Sequence, residues 1–151
     1  MDDLIMQISI PADIDGFVLL QCPLCGEFFK LKADEMQADD VIVIWCPCCG
    51  LKGDNYLTND VIELAMIMAS NKLKGLVYEE FKKLERKNKC DSISYKAGKK
   101  PKEVKETPIM QGIHALDYQD YNCCKKQARI KQIIKIVGSY CPYCGVRYDE
   151  N

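Results

Sequence analysis

The chain has one histidine and one tryptophan in 151 residues, and it contains no His-Glu-x-x-His segment, no phosphate-binding glycine pattern and no nucleophile elbow. These absences remove the usual sequence signs of metalloprotease, nucleotide and acyl-transfer chemistry. No apolar run approaches the roughly 20 residues needed to span a bilayer, so no membrane association is expected. The start, Met1-Asp2-Asp3-Leu4-Ile5-Met6-Gln7, lacks the basic opening and long apolar core of a secretory signal. A reduced, cytoplasmic setting is therefore expected, in which disulfides are rare.

What is abundant is cysteine, at ten residues. In a reduced setting such a count points to metal rather than to a disulfide scaffold. Three segments share one signature: Cys22-Pro23-Leu24-Cys25-Gly26, Cys46-Pro47-Cys48-Cys49-Gly50 and Cys141-Pro142-Tyr143-Cys144-Gly145. In a Cys-x-x-Cys turn both sulfurs converge on one side of a tight bend, and the glycine permits the backbone conformation that aims amides at them. Two facing turns make a tetrahedral thiolate cage, so Cys22, Cys25, Cys46 and Cys49 are predicted as the first metal site.

The expected fold class is α+β, small and metal-stabilised. Leu4 to Ile10 and Phe17 to Leu20 read as short strands, and Phe28, Phe29 and Leu31 suit the strand leaving the first knuckle. The polar run Ala33 to Asp40 reads as a loop, and Val41 to Trp45 as a β-branched strand delivering the second knuckle. Residues 17–50 laid out in this way resemble a zinc ribbon of the transcription-factor-IIB type, and taken whole the chain resembles small bacterial or phage zinc-ribbon-containing proteins of unknown function. The resemblance implies a structural Zn²⁺ in each ribbon, two per chain, and a binding module with no named substrate.

The predicted organisation is an N-terminal ribbon at 1–57, a helical segment at 58–89, a flexible basic linker at 90–108 and a ribbon-like module at 109–151. Thr58, Asn59 or Asp60 suits the start of the helix, and Val61 to Ala69 is apolar nearly all round. Leu73, Leu76, Val77, Phe81 and Leu84 form an amphipathic stripe, which allows a homodimer through this helix. Ser70-Asn71 and Gly75 leave open one helix or two; an unbroken one would be about 45 Å long.

In the last module Tyr118 to Cys123, Ala128 to Ile130 and Ile133 to Val137 read as strands, repeating the sheet pattern of the first ribbon. Its first knuckle is different, because adjacent Cys123-Cys124 replaces Cys-x-x-Cys. Neighbouring side chains on a strand point to opposite faces, so both reach one ion only if the backbone turns sharply there. The second site is therefore read as Cys123, Cys124, Cys141 and Cys144, with Asp120 or His114 as the alternative to one of the adjacent cysteines. Cys48 should point away from the first ion, and Cys90 reads as a free thiol.

Charge is uneven, with net −9 over residues 1–70, +7 over 71–105 and +1 over 106–151. The basic middle, residues 71–105, and the stretch Lys125, Lys126, Arg129, Lys131 and Lys135 are the candidate nucleic-acid contacts; the alternative is a solvated face and a solubilising linker. Two further resemblances bear on function. Cys141-Pro142-Tyr143-Cys144 matches a glutaredoxin active site, but that motif opens a helix within a βαβ unit, and only seven residues follow Cys144. Trp45 to Gly50 resembles the second knuckle of rubredoxins, which implies an electron carrier with iron in the first site as the rival reading. The sequence favours a non-enzymatic adaptor or regulator that binds protein or nucleic acid, since a four-thiolate metal leaves no open position for chemistry.

Overall fold

A computed structural model describes residues 5–88, 95–109 and 115–149. The fold is α+β, with an N-terminal antiparallel hairpin, a long central helix and C-terminal strands. Two compact units are present, Met1–Ile8 with Asp60–Pro108, and Ser9–Asn59 with Ile109–Asn151.

The first unit is built on helix α2, Asn59–Lys87, which runs unbroken through Ser70, Asn71 and Gly75. Asp60 lies in its first turn and Arg86 and Lys87 in its last, the signs favoured by the helix dipole. Extended chain lies along one side of it. Asn71 clamps a backbone group of this strap, donating from Nδ2 to the Val104 carbonyl at 2.8 Å and accepting from the Val104 amide at 2.8 Å. Further along, the Ala97 amide donates to Glu85 at 3.4 Å and the Tyr95 ring sits 5.9 Å from that of Phe81. The predicted strand at Leu4 to Ile10 does not form among its described residues. Its backbone is engaged with α2 instead, where Lys72 Nζ donates to the Ile5 carbonyl at 3.2 Å.

The second unit holds a four-stranded antiparallel sheet in the order β1-β2-β4-β3, where β1 is Phe17–Gln21, β2 Phe28–Lys32, β3 Asp117–Tyr121 and β4 Lys126–Ile130. Each hairpin is local, and the two join edge to edge where Lys30 pairs with Arg129 and Leu31 with Ala128. Each β2 or β4 runs directly into a short helix, α1 at Ala33–Met36 and α3 at Gln132–Val137. Each helix is followed by a Cys-Pro-x-Cys-Gly knuckle closed by a short antiparallel pairing. That closure is the bridge Trp45 to Lys52 in the first half, and in the second it is β5, Ser139–Tyr140, against β6, Arg147–Tyr148.

The two halves are thus related by an approximate two-fold. Its signature is reciprocal hydrogen bonding between the later knuckles, because the Trp45 amide donates to Pro142 O at 2.7 Å and the Tyr140 amide to Pro47 O at 2.9 Å. Trp45 and Tyr140 each precede the first cysteine of their own knuckle and cover the glycine of the other. A Cβ placed on Gly145 would stand 2.9 Å from the Trp45 ring, and one on Gly50 2.8 Å from the Tyr140 ring.

Two predicted strands take other forms for reasons visible here. Val41 to Trp45 stays extended without a ladder, since the Trp45 amide goes to the opposite knuckle and the Ile44 carbonyl accepts from Tyr56 Oη at 2.7 Å. Ile133 to Val137 is helical despite four β-branched residues. Ile134 packs against the core, and the turn closes through Gly138 N to Ile134 O at 3.1 Å. Tertiary packing overrides strand propensity over so short a run.

The core contains Val18, Leu20, Phe29, Leu31, Tyr121, Ala128 and Ile130 together with Cys22, Cys46 and Cys141. Metal-ligand candidates are therefore part of the packing itself. A core this small leans on other stabilisers. One is a charge cluster across the sheet centre, where Asp13 accepts from Lys30 at 3.3 Å and Arg129 at 3.1 Å. Burial pushes the Asp13 carboxyl up, but the Phe17 amide, Lys30 and Arg129 outweigh it and hold the pKa below its ordinary 3.8.

A carboxyl with a depressed native pKa contributes stability that is present above its unfolded pKa and lost as pH falls through the native one. Lys30 is only 3% exposed and Asp13 18%, so removing the carboxylate strands a buried cation. Asp13→Asn is expected to cost about 2 kcal/mol, less than a fully buried pair because Asp13 is partly solvated. In urea melts of the metal-loaded protein the gap between variant and wild type should stay constant from about pH 8 to about pH 5. A gap that closes within that range would contradict this account.

Candidate metal centres

The first cage forms where the β1–β2 turn meets the knuckle after α1. Both turns use one pattern: Cys22 N to Glu27 O at 2.9 Å with Gly26 N to Cys22 O at 3.0 Å, and Cys46 N to Leu51 O at 2.9 Å with Gly50 N to Cys46 O at 2.9 Å. Backbone amides also point at sulfur, Leu24 N at Cys22 Sγ and Cys48 N at Cys46 Sγ, each at 3.4 Å. Such donors stabilise thiolate over thiol.

The sulfurs of Cys22, Cys25, Cys46 and Cys49 all lie within 4.8 Å of one another. Cys22 to Cys49 is 3.8 Å and Cys25 to Cys46 is 3.6 Å. A tetrahedral zinc with bonds of about 2.3 Å requires sulfur separations of about 3.8 Å, so this donor set fits the ion. Cys22 and Cys46 are buried, and Cys25 is exposed.

The second cage brings together Cys123, Cys124, Cys141 and Cys144, again within 4.8 Å. Of the alternatives the sequence left open, both adjacent cysteines join it. Asp120 instead accepts from Gln127 Nε2 at 2.6 Å across the hairpin. His114 and Cys90 lie outside the described residues. The Cys141 knuckle repeats the pattern of the first site, with Cys141 N to Val146 O and Gly145 N to Cys141 O both at 2.8 Å.

The sharp turn that adjacent cysteines need comes from the β3–β4 connection. Four residues, Asn122 to Lys125, join the paired ends Tyr121 and Lys126, where six residues, Cys22 to Glu27, join β1 to β2. Lys125 follows Cys124 as glycine follows the second cysteine elsewhere, and it takes the same left-handed backbone with φ 54°. A lysine pays a conformational cost there that glycine avoids. Lys125→Gly is expected to stabilise the unit by about 0.5 kcal/mol once the added freedom of the unfolded chain is counted, raising the thermal midpoint by a few degrees. A lower midpoint would contradict it.

The thiols differ electrostatically. Burial pushes Cys46 and Cys141 far up, and Cys124 up to about 11. Burial also acts upward on Cys22 and Cys144, but it is outweighed at Cys22 by the backbone N–H groups of Cys25 and Leu24 with the thiols of Cys46 and Cys25, and at Cys144 by the Val146 N–H with the thiols of Cys123, Cys124 and Cys141, so both are lowered. A cation in each cage would displace the retained protons and hold four thiolates. Cys48 lies in the first knuckle outside the tetrad; burial and then the nearby Cys25 push its thiol up to about 11, so it is no activated nucleophile.

The five basic candidates for nucleic acid are largely engaged within the unit. Lys126 pairs with Asp40 at 2.7 Å, Lys131 with Glu27 at 2.6 Å and Arg129 with Asp13 at 3.1 Å. Lys135 Nζ donates to the Tyr118 carbonyl at 3.0 Å, while Lys125 is exposed at the hairpin tip. Acidic residues of the first half of this unit and basic residues of its second half thus pair inside one fold. Sequence reasoning misses these pairings because the partners lie between 86 and 116 residues apart. No helix among the described residues is long and apolar enough to cross a membrane. Compared with protein-family models, curated proteins and solved structures, the chain has no match.

Proposed function

We propose that the chain is a non-enzymatic zinc protein in which two ribbons are fused into one pseudo-symmetric scaffold, and that it acts as an adaptor by binding protein. The observation that carries this reading is the pair of closed four-sulfur cages with zinc-compatible spacing. Four thiolates fill a tetrahedral ion, so each metal is structural and supplies folding energy rather than an open site for substrate. Zinc is favoured over iron because Cys25, Cys123 and Cys144 are exposed, and ligands in contact with solvent suit a redox-inert structural ion better than an electron-transfer iron, whose potential the surrounding shell tunes.

Protein is favoured over nucleic acid because Lys126, Arg129, Lys131 and Lys135 already have intramolecular partners. By contrast helix α2 presents Leu73, Val77 and Leu84 to solvent at 61%, 45% and 46% exposure. Exposed apolar stripes of this kind mark protein contacts. A gel-shift titration against duplex DNA, single-stranded DNA and RNA at rising salt tests the choice. No retention at physiological salt is expected. A salt-sensitive shift that Lys125→Glu abolishes would overturn the protein-binding reading.

A further inference from the structure

Helix α2 carries two different faces. On one, Asn71, Lys72 and Glu85 hold the strap and the N-terminal segment through Val104, Ile5 and Ala97. Roughly opposite, at 100° per residue, lie Met66, Ser70, Leu73, Val77, Glu80 and Leu84, spaced alternately four and three apart. That is the spacing of a coiled-coil seam. Its apolar members are exposed despite their chemistry, with Met66 at 68%, Leu73 at 61%, Val77 at 45% and Leu84 at 46%.

We infer that this seam is a homodimer interface in which α2 packs antiparallel against α2 of a second copy. The register follows from the residues. A two-fold at the level of residue 75 sets Met66 against Leu84, Leu73 against Val77 and Ser70 against Glu80 of the other copy, so each apolar member meets an apolar one. Charge selects the same direction. Antiparallel packing brings Glu63 to Lys87 and the acidic first turn to the basic last turn, whereas parallel packing sets Glu80 against Glu80 inside the seam. Together with Leu76 and Phe81, exposed by 44% and 42%, the two stripes would bury on the order of 1,200 Å², the lower bound for a specific interface.

This inference rests on the reading of α2 as the interaction element and names its partner. Sedimentation equilibrium on the zinc-loaded full chain tests it. A dimer at micromolar concentration is expected, and Leu73→Lys/Val77→Asp should give a monomer with unchanged metal content. Should that variant fail to fold, two surface variants decide the matter. Glu63→Lys should weaken the dimer about tenfold, and Glu63→Lys/Lys87→Glu should restore it, a rescue that only antiparallel pairing allows. A monomeric wild type at tens of micromolar, or a double variant no tighter than Glu63→Lys, overturns the inference. A monomer that also binds no nucleic acid overturns the dimer alone and leaves the protein-binding reading standing.

Discussion

Replacing Cys25 with serine is expected to unfold the whole unit of residues 9–59 and 109–151, not the first ribbon alone. Cys25 is exposed, so exchanging sulfur for oxygen costs little packing, and the loss is attributable to the ion. Structural zinc contributes about 10–16 kcal/mol of apparent binding free energy in small modules, comparable with the whole stability of a typical domain. Losing the first cage frees the Cys46 knuckle, whose partner is the Cys141 knuckle: Trp45 N to Pro142 O at 2.7 Å and Tyr140 N to Pro47 O at 2.9 Å. The β2–β4 seam and the Asp13–Arg129 pair at 3.1 Å carry the same disturbance through the sheet. The expected result is a zinc content well below two per chain and loss of the cooperative thermal transition. Unchanged zinc and an unchanged melting curve would contradict it.

The second large effect is expected from Gly145→Ala, with Gly26→Ala as its control. Gly145 has φ 75° and Gly26 φ 77°, so both alanines bear a similar left-handed cost of about 1–2 kcal/mol. Their surroundings differ. Nothing lies within 4 Å of a Cβ on Gly26, whereas one on Gly145 stands 2.9 Å from the Trp45 ring. The hydrogen bond from the Trp45 amide to the Pro142 carbonyl holds the Trp45 backbone in place, so relief must come from moving the ring out of its packed position, and an overpacking cost of about 1–3 kcal/mol adds to the first. Gly145→Ala should therefore lose about 3 kcal/mol and some 15 °C in midpoint, about twice the loss of Gly26→Ala. Thermal melts of the two variants side by side check this, and equal losses would show that the two knuckles do not pack through Trp45.

Much of this arrangement is legible in the sequence because it is local. Cysteine pairs followed by glycine mark three of the four sulfur-bearing turns, strands 17–20 and 28–31 sit where short apolar and aromatic runs flank the first knuckle, and the apolar stripe from Leu73 to Leu84 marks the helix. Its continuity through Gly75 was ambiguous because a single glycine costs a helix only about 1 kcal/mol, which its other residues and the strap can offset. What is not legible is long-range. The pairing of Lys30 with Arg129 joins the hairpins into one sheet, and no local pattern announces it.

Ile133 to Val137 looks like a strand by composition and becomes a helix because Ile134 is drawn to the core. The adjacent cysteines Cys123 and Cys124 break the motif grammar, and only the left-handed turn at Lys125 shows how both face one cage. The charge asymmetry was visible from the start, but its meaning was not. A basic stretch reads as a surface for phosphate until Asp40, Glu27 and Asp13 are found against it.

Native mass spectrometry with elemental analysis, on full-length protein purified without added metal, tests the central claim most directly. Two zinc ions per chain, bound with displacement of thiol protons, is the result this account predicts. A single ion would contradict the cage built on Cys123 and Cys124, and iron in place of zinc, with its visible absorption, would contradict the structural role assigned to both.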